Sequence, residues 1–194
     1  MTDSTLPGHA LPVHARTLSP ELTKAEPIDF DTLYDECAEL AFRVLGGMGV
    51  REDELDDALQ DVFVVAHRRL PEFRGESKPS TWVSGIAIRV AHDYRRRHSR
   101  KPSEPLEPHA GGLVATDDLP DRRLMREQAL GSVQAFLDQL SAPQREVFVL
   151  AELEQQSAPE IAESLQVPLN TIYSRLRLAR AHFEEWVQAR GGEE

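Results

Sequence analysis

Ser174, Arg175 and Arg177 cluster near the C-terminus, where the apolar residues Ile172, Leu176, Ala179 and Phe183 repeat with helical spacing. Hydroxyl and guanidinium groups turned away from such a buried stripe offer hydrogen bonds and positive charge to phosphates and base edges. Thr171 stands at the start of the same helix. Upstream, Ser141-Ala142-Pro143-Gln144 and Ser157-Ala158-Pro159-Glu160 each spell a helix start. Ser and Gln or Glu satisfy orphan backbone donors in a capping box, and Pro occupies the first turn, where its missing N–H costs nothing. Gln166-Val167-Pro168-Leu169-Asn170 then breaks the chain and restarts it. Helix, tight connection and longer basic helix is the arrangement that reads the major groove. The same residues also fit an ordinary helical bundle with arginines on its wet face.

A second constellation joins Ser80-Thr81-Trp82 to the basic run of Arg89, Arg95, Arg96, Arg97, Arg100 and Lys101. An indole beside guanidinium groups suits single-stranded nucleic acid, the ring stacking on a base while the cations hold phosphates. The alternative is a core tryptophan on a helix whose basic end complements its macrodipole. A third constellation is acidic: Asp57, Gln60 and Asp61 share one outward face of a helix that also carries Asp56. Such a face is either solvated surface or a docking site for a basic partner. The adjacent pair His92-Asp93 resembles the metal-binding dyad of helical phosphohydrolases, but that site needs further ligands from other helices. His67 and His98 are the other histidines in the N-terminal helical part. Gly-rich phosphate loop, nucleophile elbow and HExxH are all missing from the sequence. The expectation is a protein that is not an enzyme and carries neither metal nor cofactor.

The elements that must position these groups are helices throughout. Apolar residues make up 40% of the 194 and are interleaved with charge, the pattern of helices with one buried face. Residues 1–27 carry Pro7, Pro12, Pro20 and Pro27 without periodicity and read as a disordered tail. Helical spacing then runs through Phe30, Leu33, Tyr34, Cys37, Leu40, Ala41 and Val44 to Gly46-Gly47, and through Leu55, Leu59, Val62, Phe63 and Ala66 to Pro71. A third helix, capped by Ser80 or Thr81, buries Val83, Ile86, Ala87, Val90 and Tyr94 and continues to about His98. Residues 99–120 are rich in Pro and Gly and poor in large apolar groups, hence a linker. A helix from about Asp121 to Leu140 leads into the C-terminal trio. The fold class is all-α: one small helical domain over 28–98 and a second, with the helix-turn-helix, over 121–190.

The net charge of −11 argues against nucleic acid in bulk, yet binding depends on where charges sit. Acidic residues crowd into Asp29 to Glu39 and Glu52 to Asp61, basic ones into Arg89 to Lys101 and Arg175 to Arg180. That layout implies two kinds of partner. One cysteine, Cys37, excludes an internal disulfide. No secretory signal opens the sequence and no run is apolar enough to cross a bilayer. A cytoplasmic protein is expected.

Taken together these pieces resemble the extracytoplasmic-function (ECF) group of bacterial sigma factors, in the sigma-70 family. Asp56 to Arg68, Phe73-Arg74-Gly75-Glu76-Ser77, Thr81-Trp82-Val83 and Asp93-Tyr94-Arg95-Arg96-Arg97 are similar to region 2. Leu140 to Phe148, Ile161-Ala162-Glu163-Ser164-Leu165 and Thr171 to Leu176 are similar to region 4. The resemblance covers about Asp29 to Trp186. It implies a region 2 that opens and reads the promoter −10 element and docks on the β′ clamp helices of core RNA polymerase. It implies a region 4 that reads the −35 element in duplex DNA and contacts the β flap. Carried over by position, Asp57, Gln60 and Asp61 face the clamp. Arg74, Ser77, Lys78, Ser80, Thr81, Trp82 and Arg89 surround the opened −10 strand. Thr171, Ser174, Arg175 and Arg177 meet the −35 duplex. The group commonly pairs with an anti-sigma protein. The chain departs from the group's usual pattern at Pro79, where an aromatic is common, and at Gly85 and Leu178, where a basic residue is. Arg89 replaces a common Asn, and Gln155, Gln156 and Gln166 occupy stretches where glycines are usual. A stand-alone helix-turn-helix regulator, binding duplex operators without polymerase, is the rival reading.

Overall fold

A computed structural model describes residues 28–99 and 131–191. The tail, residues 100–120 of the linker and the start of the helix expected from Asp121 lie outside the described residues. Helix α1 spans Phe30–Gly47. Asp29 caps it, its Oδ1 accepting from Thr32 N at 2.9 Å, and these bonds hold the Asp29 carboxyl below its ordinary range. The helix ends at Gly46-Gly47, and Gly49 continues at φ +82°, a left-handed conformation that suits glycine. A single acidic 3-10 turn, Glu52–Glu54, feeds α2, Leu55–Arg69, whose N-terminal acids and C-terminal bases both complement its dipole.

Helix α3 spans Pro79–Ser99. The expected cap at Ser80 or Thr81 is corrected here: Pro79 takes the first helical position, Lys78 O accepts from Trp82 N, and both hydroxyl residues lie inside the helix. Helices α1, α2 and α3 pack pairwise around Leu33, Cys37, Ala41, Val62, Ala66, Ile86 and Tyr94. Each large apolar side chain so buried contributes about 1.5–3 kcal/mol.

The second unit begins with α4, residues 131–137, followed by α5, Ala142–Phe148. Gln144 Oε1 accepts from Ser141 N and Oγ, completing the first expected capping box; Glu160 Oε2 does the same for Ser157 at α6, Ala158–Leu165. Between them α5 widens into one π turn, Val149–Leu153, and Gln155 reverses the chain at φ 54°. Gln166, at φ 56°, closes α6 before α7, Leu169–Gly191. Ile172, Leu176 and Ala179 are buried as expected. Phe183 is not: it is 38% exposed. It lies at the edge of an aromatic cluster with Phe136, Phe148 and Trp186, where no further helix among the described residues covers it.

The two units are docked on each other. Helix α6 lies along α3, and the π turn meets the end of α1. Arg145, only 1% exposed, reaches from α5 into the first unit and donates from Nε to Gly47 O at 2.8 Å. Burial pulls its guanidinium below the ordinary range, and Asp138, 2.9 Å from Nη2, opposes that shift.

Candidate polymerase and nucleic-acid interfaces

Three surfaces follow from this arrangement. On α2, Leu55, Ala58, Val62, Phe63 and Ala66 face inward, which leaves Asp57, Gln60 and Asp61 exposed on the other side. Asp61 is also an acceptor: Tyr94 Oη donates to its Oδ2 at 3.0 Å, a bond linking the acidic face to the core of α3. Burial, then Asp61, pushes the Tyr94 phenol up. The result is a negative surface held at a fixed orientation by one buried tyrosine.

The second surface surrounds the start of α3. Trp82 is half-buried against Phe73, ring centroids 4.9 Å apart. Arg74 is exposed on the preceding loop, while Ser77 and Ser80 are half-buried. Lys78 is exposed but paired, its Nζ 2.6 Å from Glu160 of α6. Thr81 is buried, and its carbonyl accepts from Ser164 Oγ at 2.8 Å. Arg89 curls back along its own helix, Nη1 donating to Gly85 O at 3.0 Å. Farther on, Arg96 and Arg97 are exposed, Arg97 lying over the Tyr94 ring at 4.8 Å. The residues named from sequence therefore fall on one end of α3, with Lys78 and Thr81 engaged by the second unit.

The third surface is the outer side of α7. Ser174 and Arg177 are exposed, Thr171 is half-buried and Arg175 keeps 27% of its side chain accessible. Arg175 lies 4.0 Å from Glu146, which also takes His92 Nε2 at 3.0 Å. Arg177 lines a shallow depression with Tyr173, Arg180 and Glu184, and Arg180 pairs with Glu152 at 2.8 Å. A helix anchored by a narrow apolar stripe, with its cations outward, can enter a groove. The His92-Asp93 pair is split between partners: His92 faces Glu146, and Asp93 accepts from Arg96 at 2.9 Å. Among the described residues no group of His, Cys, Asp and Glu is placed to hold a metal, and no helix is long and apolar enough to cross a membrane.

Comparison with known proteins agrees with this division. Residues 33–101 match the family model for sigma-70 region 2, and residues 130–183 match that for sigma-70 region 4. The RNA polymerase sigma-H factor of Pseudomonas aeruginosa is 31% identical over 142 residues, covering 70% of this chain and 74% of that protein. This chain is a member of the sigma-70 family. The ECF RNA polymerase sigma-E factor of Haemophilus influenzae is 30% identical over 146 residues, 72% of this chain and 77% of that one. The ECF group of the family is therefore the right place for it. In fold, it is similar to CnrH in the complex with the cytosolic domain of CnrY (TM-score 0.63, 24% identity, 82% of this chain and 88% of that one). It is also similar to the sigma factor RpoE of Bartonella quintana in complex with the anti-sigma factor NepR (TM-score 0.67, 21% identity, 82% and 97%).

Sequence reasoning missed the residues that join the two sigma regions. Arg43 belongs to no motif, Arg145, Gln156 and Ser164 are read only against the region 4 pattern, and each gains its joining role from a residue far away in the chain. Gly85 gave the one usable signal, a glycine in the middle of a helix where the group often carries a basic side chain.

Proposed function

We infer that this chain is an ECF sigma factor that binds core RNA polymerase and directs promoter-specific transcription initiation. The observation that carries the reading is the succession, in one chain, of both family regions with three surfaces of matching charge: one acidic face on α2 and two basic helices. Asp57, Gln60 and Asp61 form the polymerase face, opposite in sign to a basic clamp surface. The end of α3, with Trp82 flanked by Arg74, Ser77, Lys78, Ser80, Thr81 and Arg89, receives the opened −10 strand by stacking and phosphate contacts. Helix α7 presents Thr171, Ser174, Arg175 and Arg177 to the −35 duplex. The protein contributes recognition while polymerase contributes the bond chemistry, so it acts in the cytoplasm and is not itself an enzyme. One of the two similar solved structures holds the sigma factor RpoE with the anti-sigma factor NepR, the other CnrH with the cytosolic domain of CnrY, and an anti-sigma partner is proposed for this chain on the same fold.

The test is transcription in vitro with core polymerase and genomic fragments, the start sites then being mapped. New start sites that depend on this protein and share upstream elements near −10 and −35 are expected. Sequence-specific duplex binding without polymerase, together with no new start sites, would overturn the reading in favour of an operator-binding regulator.

A further inference from the structure

We propose that Arg69 of α2 and Arg89 of α3 together form a cradle for one backbone phosphate of the opened DNA strand. The proposal rests on the sigma-factor reading, which names Arg89 among the −10 residues and gives Arg69 no role. Two bonds fix how α2 and α3 lie. Tyr94 Oη donates to Asp61 at 3.0 Å, and His98, later on α3, meets Glu54, just before α2. The two helices therefore run antiparallel. Arg69 lies beyond Asp61 by about 12 Å and Arg89 before Tyr94 by about 8 Å, at 1.5 Å per residue. Both arginines thus reach the same end of the pair, at levels that differ by less than the length of an arginine side chain. Both are exposed. Arg43, Arg51, Arg145 and Arg180 each have a carboxylate within 3 Å, but neither Arg69 nor Arg89 has an ion-pair partner among the described residues. Burial, then Arg69, pulls the Arg89 guanidinium below its ordinary range, as expected of two cations that stand close without an acid between them.

The pair is oriented as well as close. Arg89 Nη1 donates to Gly85 O at 3.0 Å, which holds the guanidinium along α3 and leaves its other N–H groups without an acceptor among the described residues. Gly85 leaves that space open: a side chain there would begin 3.5 Å from Nη1. An anion between two guanidinium groups turns their repulsion into two attractions. A phosphodiester suits the position, because its charge is shared by two free oxygens that N–H forks can meet from two sides. The surroundings select nucleic acid. Trp82 stands two turns before Arg89 on the same side of α3, about 10 Å away. Arg69 is followed by the single 3-10 turn Leu70–Glu72, which delivers Phe73 against the Trp82 ring at 4.9 Å. A strand whose base stacks on Trp82 therefore passes the cradle. Phosphate is the same in every nucleotide, so the cradle sets the position of the strand and leaves base choice to the groups around it.

Holoenzyme assembled from the full chain and core RNA polymerase tests this, titrated with the non-template strand of a promoter mapped for this protein. Arg69→Gln and Arg89→Gln should each weaken strand binding about ten-fold and lower the salt slope by about 0.7, with helicity unchanged by circular dichroism. The double variant should bind about as weakly as either single one, because the same phosphate is lost in all three. Replacing the phosphates of the strand one at a time by neutral methylphosphonate should reveal one position that costs the wild type the same ten-fold and costs Arg69→Gln nothing further. Unchanged affinity in Arg69→Gln overturns the cradle. Additive losses in the double variant, or no such position in the strand, overturn it too. A second arm uses the free chain and oligo(dT), followed by the arginine Nε–Hε signals in NMR. The signals of Arg69 and Arg89 should shift together, and Arg69→Gln should abolish the Arg89 shift. An Arg89 signal that stays still in the wild type, or shifts equally in Arg69→Gln, overturns the cradle. If the paired shift is seen while no form binds polymerase, the sigma-factor reading fails and the cradle stands as a single-strand phosphate site.

Discussion

Helices α3 and α7 are both long and basic, yet the fold treats them in opposite ways. Every residue of α3 from Val83 to Ile88 is buried. In α7 the residues Ile172, Leu176 and Ala179 are buried while Tyr173, Leu178 and Val187 remain exposed. The cause is the number of neighbours and the size of the side chains that meet them. Helix α3 packs on α1 and α2 with its large residues, and it turns Ser84 and Gly85 toward α6, small enough for another backbone to lie against it. Helix α7 packs mainly on α5 and α6, with Phe183 and Trp186 reaching Phe136 of α4, and uses one narrow stripe. The difference teaches that a recognition helix is made available or withheld by its second side. The helix proposed to read −10 is packed along a second side by α6, and the helix proposed to read −35 stands open.

The largest effect is expected from a face that belongs to neither helix. Replacing Asp57 by Lys puts like charge against a basic clamp, which costs several kcal/mol of binding, while folding shifts by only about half a kcal/mol. Core polymerase should no longer co-purify, with thermal unfolding near that of wild type. Asp61 is a less clean position, because losing the Tyr94 bond adds about 1 kcal/mol of destabilisation. Retained polymerase binding in Asp57→Lys would remove α2 from the comparison altogether.

Next come the two arginines of the open helix. Arg177→Ala should weaken binding to −35 duplex DNA by about 1–3 kcal/mol if it contacts a base, or flatten the salt dependence if it contacts phosphate. Arg175→Ala should cost less in the free chain, since Glu146 already shares its charge. A fluorescence-anisotropy titration at several salt concentrations separates these outcomes. Equal, negligible losses in both would mean that α7 is exposed without being a reader.

Gln166→Gly sharpens the anchoring of α7. A side chain in the left-handed region costs about 1 kcal/mol that glycine does not incur, so a stabilisation of about 0.5–1 kcal/mol should appear in thermal unfolding. The matching change at Gln155 should yield less, because its Nε2 donates to Glu152 O at 2.8 Å. The smallest effect concerns the enclosed helix. Lys78, then Ser157, holds the Glu160 carboxyl at about 2 against an ordinary 4.5. A lowered folded-state value means the contribution is fully present above pH 4.5 and is lost as pH falls toward 2. Lys78 is largely exposed, so solvent screens the pair and the contribution is small. Across that interval Glu160→Gln should lose stability less steeply than wild type in acid-unfolding curves.

The separate helices were legible because their signals are local. Asp29, Ser141 and Ser157 cap the helices that follow them, and Gly46-Gly47 ends α1. The start of α3 was misplaced because Ser80 and Thr81 have the chemistry of caps while Pro79 has the geometry of a first turn. Phe183 was misjudged because periodicity reports which side of a helix faces inward and not whether anything is there to cover it. The docking of the two units was hidden by distance: Arg43 and Glu154 lie 111 residues apart in the chain. Nothing in either neighbourhood predicts the other. The acidic and basic surfaces were readable as charge patterns, but which of their residues are engaged, such as Lys78 and Thr81, depends on that docking.

The lone cysteine turns this architecture into something that can be timed. Cys37 is 1% exposed between α1 and its neighbours, and burial, with Glu36 adding to it, pushes the thiol up to about 11. A protonated, enclosed sulfur does not react with a maleimide or an aromatic disulfide. Each labelling event therefore counts one excursion in which α1 leaves its packing. Releasing the second unit should leave the labelling rate almost unchanged, because Cys37 belongs to the interior of the first. Melting of the first unit should raise it to the rate of a free thiol. One native atom thus distinguishes parting of the two units from loss of structure within one of them, without a dye or a tag.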